Sequence, residues 1–302
     1  MTFCLGIKVK DGLVGIADTR ITTGAECITA KKVSIHRYGR YPMFLMTSGL
    51  RSVRDKALTY FTEVIEDSEH HFDKLYKAVN EFGKQIRRVA AEDREALKQS
   101  SLDFNIHALI GGQLERDSEH KLFLLYPEGN WVEIGEGTPY HIIGSARYGK
   151  PVLDRALAFT SPMDFALKVG YLAFDATFMS ATDVAFPIDV VMYRNNTHDI
   201  IERRFEKDDF EAAANAWQDH IVKSIQNLPM GQLDSVFARA LAQPLRPSHT
   251  YSAPMSPAAQ LVLGHRDGVN GAQNGTENGA ANNGITKEEH FVSQQHVPRT
   301  QF

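Results

Sequence analysis

Cysteine is nearly absent from this chain. Cys4 and Cys27 are the only two in 302 residues. Two thiols cannot build a disulfide framework, so a reducing, cytoplasmic setting is expected. No apolar run approaches the ~20 residues of a membrane span. The first residues lack a basic stretch followed by an apolar one, so a secretory signal is not expected. Charge of one sign is not in excess either. The formal net charge is -4, which gives no reason to expect nucleic acid or an anionic membrane as partner. Aromatic residues are missing between Tyr251 and Phe291, where Gly268–Asn283 is rich in Asn and Gly. A segment of that composition cannot bury enough apolar area to order itself, so 244–302 is expected to be a disordered tail.

What remains is 43% hydrophobic and 23% charged, the composition of a soluble globular chain with room for one or two domains. Thr2 follows the initiator methionine and opens a strand. Phe3, Leu5, Ile7 and Val9 alternate with Thr2, Cys4, Gly6 and Lys8, the period of a half-buried strand. A second strand, Leu13–Arg20, follows a turn at Asp11-Gly12. Polar, turn-prone residues fill Thr22–Glu26, and strands are expected at Val33–Tyr38 and Pro42–Thr47. The period then changes. Val53, Ala57, Phe61 and Val64 mark one helix, and Phe72, Leu75, Val79, Phe82, Ile86 and Val89 a second, meeting at His70-His71.

Strands return at Phe104–Ile110, Lys121–Tyr126 and Tyr140–Ile143. Pro151–Ala158 reads as helix, and Ser161-Pro162-Met163-Asp164 as the start of another, with Ser161 as N-cap. Phe165, Val169, Leu172, Ala173 and Ala176 form its apolar stripe. Pro187–Arg194 and Ile200–Phe205 make a hairpin, and Phe210, Ala213, Trp217, Ile221 and Ile225 a last long helix. Strand blocks separated by helix pairs suggest helices covering two stacked sheets.

Removal of Met1, favoured by a small second side chain, would leave a hydroxyl nucleophile and a free α-amine on Thr2. An α-amine titrates near ~7.7–8.0 and can act as base. Four further features fall in order behind Thr2. Asp18 sits near the end of an otherwise apolar strand. Lys31-Lys32 precedes the next. Met46-Thr47-Ser48-Gly49 closes a strand where a helix begins, and Gly144-Ser145 closes another. Singly, each has a plain structural use: an Asp18–Arg20 ion pair, a solvated lysine turn, a tight junction at Gly49. His70-His71 lacks metal-ligand spacing, and Gly144–Gly149 lacks the glycine spacing of a dinucleotide site. Cys4, inside a strand, has no α-amine to serve as base and reads as packing.

Taken together, these residues on this strand–helix order resemble the proteasomal β-subunits. The chain is most similar to the bacterial branch called the ancestral β-subunit, whose members begin Met-Thr-aromatic/aliphatic-Cys, as this one does. The resemblance covers roughly residues 2–228, with a short helical extension at 229–243 and the tail beyond. It implies an α+β fold, the four-layer αββα sandwich of N-terminal-nucleophile hydrolases. It also implies a cytoplasmic threonine-type peptidase or amide hydrolase that needs no cofactor or metal, acts on a peptide or amide, and assembles as a homo-oligomer, ring or ring-like.

The family's nucleophile falls on Thr2, its acid on Asp18, its lysine on Lys32 and its oxyanion-hole glycine on Gly49. Lys31 is the alternative lysine, because the interval from Asp18 is two residues shorter than in the main proteasomal subunits. The supporting serine falls on Ser145. The outer acid and serine fall on Ser180 and Asp183, with Asp175 competing. Two other functions stay open: a small-molecule amidase on the same site, and a ring scaffold without catalysis.

Strand parity adds a geometric condition. A two-residue turn at Asp11-Gly12 would put Asp18 opposite Leu5, on the face away from Thr2. A three-residue turn, Lys10-Asp11-Gly12 with a left-handed Gly12, would put Asp18 opposite Cys4, on the Thr2 face. The site requires the second, so the three-residue turn is predicted. Thr2 and Asp18 on opposite faces would remove the basis for the site.

Overall fold

A computed structural model describes residues 2–23, 26–67 and 72–242. The expectations for His70-His71 and for 244–302 lie outside these residues, as does Met1. The chain divides into two units, Met1–Leu228 and Pro229–Phe302.

The first unit holds two five-stranded antiparallel sheets. One has the order β10 (Tyr140–Gly144), β1 (Phe3–Val9), β2 (Gly12–Asp18), β11 (Ile188–Arg194) and β12 (Ile200–Phe205). The other runs β5 (Val33–Tyr38), β6 (Tyr41–Gly49), β7 (Ile106–Gly112), β8 (Lys121–Leu125) and β9 (Trp131–Glu133). A two-stranded hairpin, β3 (Arg20–Thr23) and β4 (Glu26–Thr29), stands where the sequence showed only turn-prone residues. Three apolar clusters define the layers. Leu5, Ile7, Val14 and Ile16 pack with helices α3 (Lys150–Ala156) and α4 (Met163–Ser180). Met43, Leu45 and Ile110 pack with α1 (Arg51–Glu66) and α2 (Leu75–Gln99). Cys4, Leu13, Phe44, Leu109 and Leu122 fill the space between the sheets. The order helix, sheet, sheet, helix is the αββα sandwich.

β1 and β2 are buried on both faces, not half-buried. Small residues make this possible. A Cβ on Gly6 would come within 3.1 Å of Leu122 Cδ2, and one on Gly15 within 3.1 Å of Met46 Sδ. The second sheet therefore seats on the face that alternation had assigned to solvent. Each fully buried Leu, Ile or Val in this layer contributes about 1.5–3 kcal/mol.

The helical periods locate α1 and α2 well. Val53, Ala57 and Phe61 are buried on α1, and Leu75, Val79, Phe82, Ile86 and Val89 on α2. The N-terminus of α2 is held by Asp117, whose carboxylate accepts the Leu75 N–H at 2.8 Å. The reading of α4 is corrected in two respects. Pro162, not Ser161, is its N-cap, and the Ser161 hydroxyl instead accepts the Ala158 N–H at 3.1 Å. Its buried face carries Ala166, Val169, Gly170, Ala173, Phe174 and Thr177, while Phe165 is exposed. Gly170 sets that rotation, since a Cβ there would meet Ile16 Cδ1 at 2.9 Å. The helix lies against the sheet through its smallest residue, which a hydrophobic stripe does not reveal. Helix α5 (Glu211–Gln226) closes the first unit without a fully buried residue.

The predicted three-residue turn is also corrected. Val9 pairs with Gly12, so the loop is Lys10-Asp11. Both loop residues have outside partners: the Lys10 N–H donates to the Phe159 carbonyl at 2.9 Å, and the Asn195 N–H to the Asp11 carbonyl at 2.9 Å. Gly12 is needed for close approach. β11 pairs with β2 down to this residue, and a Cβ there would stand 2.1 Å from the Tyr193 carbonyl oxygen.

In the second unit, helix α6 (Gly231–Leu241) shows Leu233, Val236, Phe237 and Leu241 exposed along one side.

Candidate active site

The register pairs Cys4 with Ala17, which sets Asp18 across from Phe3. Strand parity then assigns Thr2 and Asp18 to opposite faces, the arrangement that the sequence reasoning took as fatal to the site. That reasoning treated Asp18 as an interior strand residue. Asp18 is instead the last residue of β2, and its carboxylate lies at the strand end.

Asp18 Oδ1 accepts the Phe3 N–H at 2.8 Å and Lys32 Nζ at 2.6 Å. Asp18 Oδ2 accepts the Arg20 N–H at 3.2 Å. One oxygen thus joins Lys32 to the peptide that leaves Thr2. The other side of that peptide is held too, because the Thr2 carbonyl accepts the Ser145 N–H at 2.7 Å. The preceding Gly144 has φ +93°, and a Cβ on it would stand 1.9 Å from the Thr2 carbonyl oxygen. Glycine is required there by both conformation and space.

Lys32 is the lysine of the cluster. Its ammonium also donates to the Arg20 carbonyl at 2.6 Å, and its side chain is 3% exposed. Lys31 points elsewhere, to Glu202 at 2.6 Å, and is half-exposed. The Thr47 N–H donates to the Lys32 carbonyl at 3.2 Å, and the Cys4 thiol approaches the Thr47 carbonyl at 3.7 Å. The two sheets therefore meet around Lys32. Burial pushes the Asp18 carboxyl up, against the pull of Lys32 and of the Phe3 and Arg20 N–H groups. Burial likewise pushes the Cys4 thiol up, which makes it an inert packing group.

Gly49 ends β6 just before α1. It is exposed, has φ +126°, and a Cβ on it would stand 2.2 Å from the Asn105 carbonyl oxygen. Ser145 is buried beside Thr2. Ser180 is exposed at the C-terminal end of α4. Asp183 interacts electrostatically with Arg20 of β3 and Cys27 of β4. Asp175 lines a separate cavity with Lys207 and Phe210.

The parts that residue-type reasoning missed are backbone groups: the Phe3 N–H, the Arg20 carbonyl and the Thr47 N–H. The hold on the Thr2 carbonyl did leave a sequence signal, Gly144, because a Cβ there would stand against that oxygen. Among the described residues no group of three or more His, Cys, Asp or Glu side chains is arranged to hold a metal. None of their helices is long and apolar enough to cross a membrane.

No protein-family model and no curated protein matches the chain. Solved structures do. Anbu, the ancestral beta-subunit, from Yersinia bercovieri superposes with TM-score 0.70 at 26% identity, over 75% of this chain and 97% of its own. Anbu from Hyphomicrobium sp. strain MC1 superposes with TM-score 0.68 at 27% identity, over 76% and 99%. The helical assembly of the Anbu complex from Pseudomonas aeruginosa gives TM-score 0.71 at 25% identity, over 75% and 97%. The chain shares the fold of these proteasome-related structures.

Proposed function

We propose that this chain is a threonine-type amide hydrolase acting on peptides, with Thr2 as nucleophile after removal of Met1. The observation that carries the reading is the buried Asp18–Lys32 pair, bonded through one carboxylate oxygen to the Thr2–Phe3 peptide.

In this reading, Thr2 Oγ attacks the substrate carbonyl carbon and its own α-amine takes the proton. The Lys32 cation favours the neutral amine and the developing alkoxide. Asp18 and the Arg20 carbonyl hold and orient the ammonium. The Gly49 N–H receives the oxyanion, a contribution of about 2.7–4 kcal/mol in comparable sites. The intermediate then collapses with cleavage of the C–N bond as the Thr2 ammonium returns its proton to the leaving amine, and water hydrolyses the ester left on Thr2. Ser145 and Gly144 fix the Thr2 carbonyl and so the direction of its side chain, while Asp183 and Ser180 form the outer part. We further propose a homo-oligomer, since a relative of this fold is solved as a helical assembly.

Intact-mass analysis with a β-lactone, which acylates an activated hydroxyl, tests the reading. The expected result is a chain lacking Met1 that gains one acyl group, with no label on Thr2→Ala. A chain that retains Met1 and never takes the label would sink it.

A further inference from the structure

We propose that the cavity between α4 and the start of α5 binds a small organic cation of the quaternary or methylated ammonium class. The cavity measures about 330 Å³ and lies away from Asp18 and Lys32. Four of its lining side chains are aromatic and form a continuous wall. Tyr171 stacks on Phe210 at 4.2 Å between centroids, Phe210 meets Phe186 at 6.1 Å, and Phe186 meets Phe178 edge-on at 5.3 Å. Aromatic faces are negative and attract cations, most strongly those whose apolar methyl groups lower the cost of leaving water.

Two further features specify charge. Asp175 lies on the same cavity without a hydrogen-bond or ion-pair partner among the described residues, and burial alone pushes its carboxyl up. Asp208 and Glu211 also line the cavity, so its lining holds three carboxylates and one internal cation. That cation is Lys207, whose Nζ stands 5.8 Å from the centre of the Phe178 ring. The chain already lays an ammonium on this wall, yet Asp175 has no pairing partner among the described residues. A ligand ammonium seated between Asp175 and the rings satisfies both. None of these residues acts in the Thr2 chemistry, so the site stands or falls independently of it.

Calorimetric titration of the full chain with choline tests the proposal. The control is choline's uncharged isostere, the alcohol with carbon in place of the ammonium nitrogen. Choline is expected to bind saturably, and the isostere roughly tenfold more weakly. Asp175→Asn and Phe178→Leu are each expected to weaken choline by a similar factor. Lys207→Ala removes the competing internal cation and is expected to tighten choline severalfold. Thermal melts of the variants establish that they fold, and Lys207→Ala carries the test if the others do not. Equal binding of choline and its isostere would show an apolar cavity only and overturn the proposal. So would the absence of saturable binding, or choline affinity indifferent to both Asp175→Asn and Lys207→Ala.

Discussion

Two buried lysines stand at opposite ends of the β1–β2 pair, and they are held in opposite ways. Lys8, near the hairpin, is 5% exposed at its side chain, but its partners Glu119 and Glu133 are 46% and 37% exposed. Lys121 shares both glutamates at 2.9 Å, so the four charges join the two sheets in a network open to water. Lys32, at the other end, is 3% exposed and its partner Asp18 is fully sealed. Its remaining acceptor is a backbone carbonyl. A solvated network costs the fold little. A sealed pair costs several kcal/mol per ion in desolvation, and replacing such a pair with apolar residues is often neutral or stabilising by about 1–4 kcal/mol. Stability alone therefore explains Lys8 and does not explain Lys32.

The largest expected effect breaks the sealed pair. Lys32→Met leaves the Asp18 carboxylate buried without its cation, at a cost of about 3–5 kcal/mol in chemical denaturation. The double variant Asp18→Leu with Lys32→Met is expected to recover most of that loss while β-lactone labelling stays absent. A double variant as unstable as the single one would make the pair a structural element and erase the contrast with Lys8.

A second test acts on the Thr2 peptide without touching a charge. Gly144→Ala must place a Cβ 1.9 Å from the Thr2 carbonyl oxygen at φ +93°. The strain is about 1–3 kcal/mol. Labelling of Thr2 is expected to fall much further than the melting temperature, because the strain is relieved most easily by displacing the first two residues. Loss of stability with labelling intact would show that Gly144 serves the fold and not the position of Thr2.

How much of this was legible in the sequence follows from what each interaction is made of. Asp18, Lys32 and Gly49 could be named because their side chains, or the lack of one, stand out on an apolar strand pattern. Their partners could not, since the Phe3 N–H, the Arg20 carbonyl and the Thr47 N–H belong to the backbone and carry no residue signature. Gly12 was visible as a turn glycine, but its reason is the Tyr193 carbonyl, a long-range contact, and the turn was misread on that account. The β3–β4 hairpin escaped notice because its strands are four residues long and polar. The same limit hid the rotation of α4, where a glycine rather than a hydrophobic residue marks the contact line.

The open network is expected to respond weakly. Lys8→Met removes a buried cation whose glutamates keep Lys121 and water, and both glutamates are exposed enough for screening to discount the pair. The loss is about 1 kcal/mol or less, and it should shrink further in high salt. β-Lactone labelling should not change. A loss comparable to that of Lys32→Met would mean that the two ends are equally dependent on their charges.

The smallest effect is one of pH, and it also separates the two ends. His120 lies beside Lys8 and is 2% exposed, with Nε2 donating to the Val9 carbonyl at 2.8 Å. Burial holds it below the ordinary histidine range, and the Lys8 charge adds to that, while Asn195, the Val9 carbonyl and Glu119 oppose it. His36, His107 and His141 are lowered by burial as well. A histidine with a depressed folded-state pKa binds fewer protons folded than unfolded. Its contribution to stability is complete above the unfolded value of about 6.5 and is lost as pH falls from there toward the folded value. Melting temperature should therefore decline as pH drops below about 6.5. The carboxyls raised by burial, Asp18, Asp117 and Asp175, act with the opposite sign, but from the ordinary carboxylate range of about 4 upward. His120→Gln should flatten part of the decline. Lys8→Met should flatten less of it, by removing one of the charges that keeps His120 neutral. A decline untouched by either variant would place the acid sensitivity outside the hairpin end.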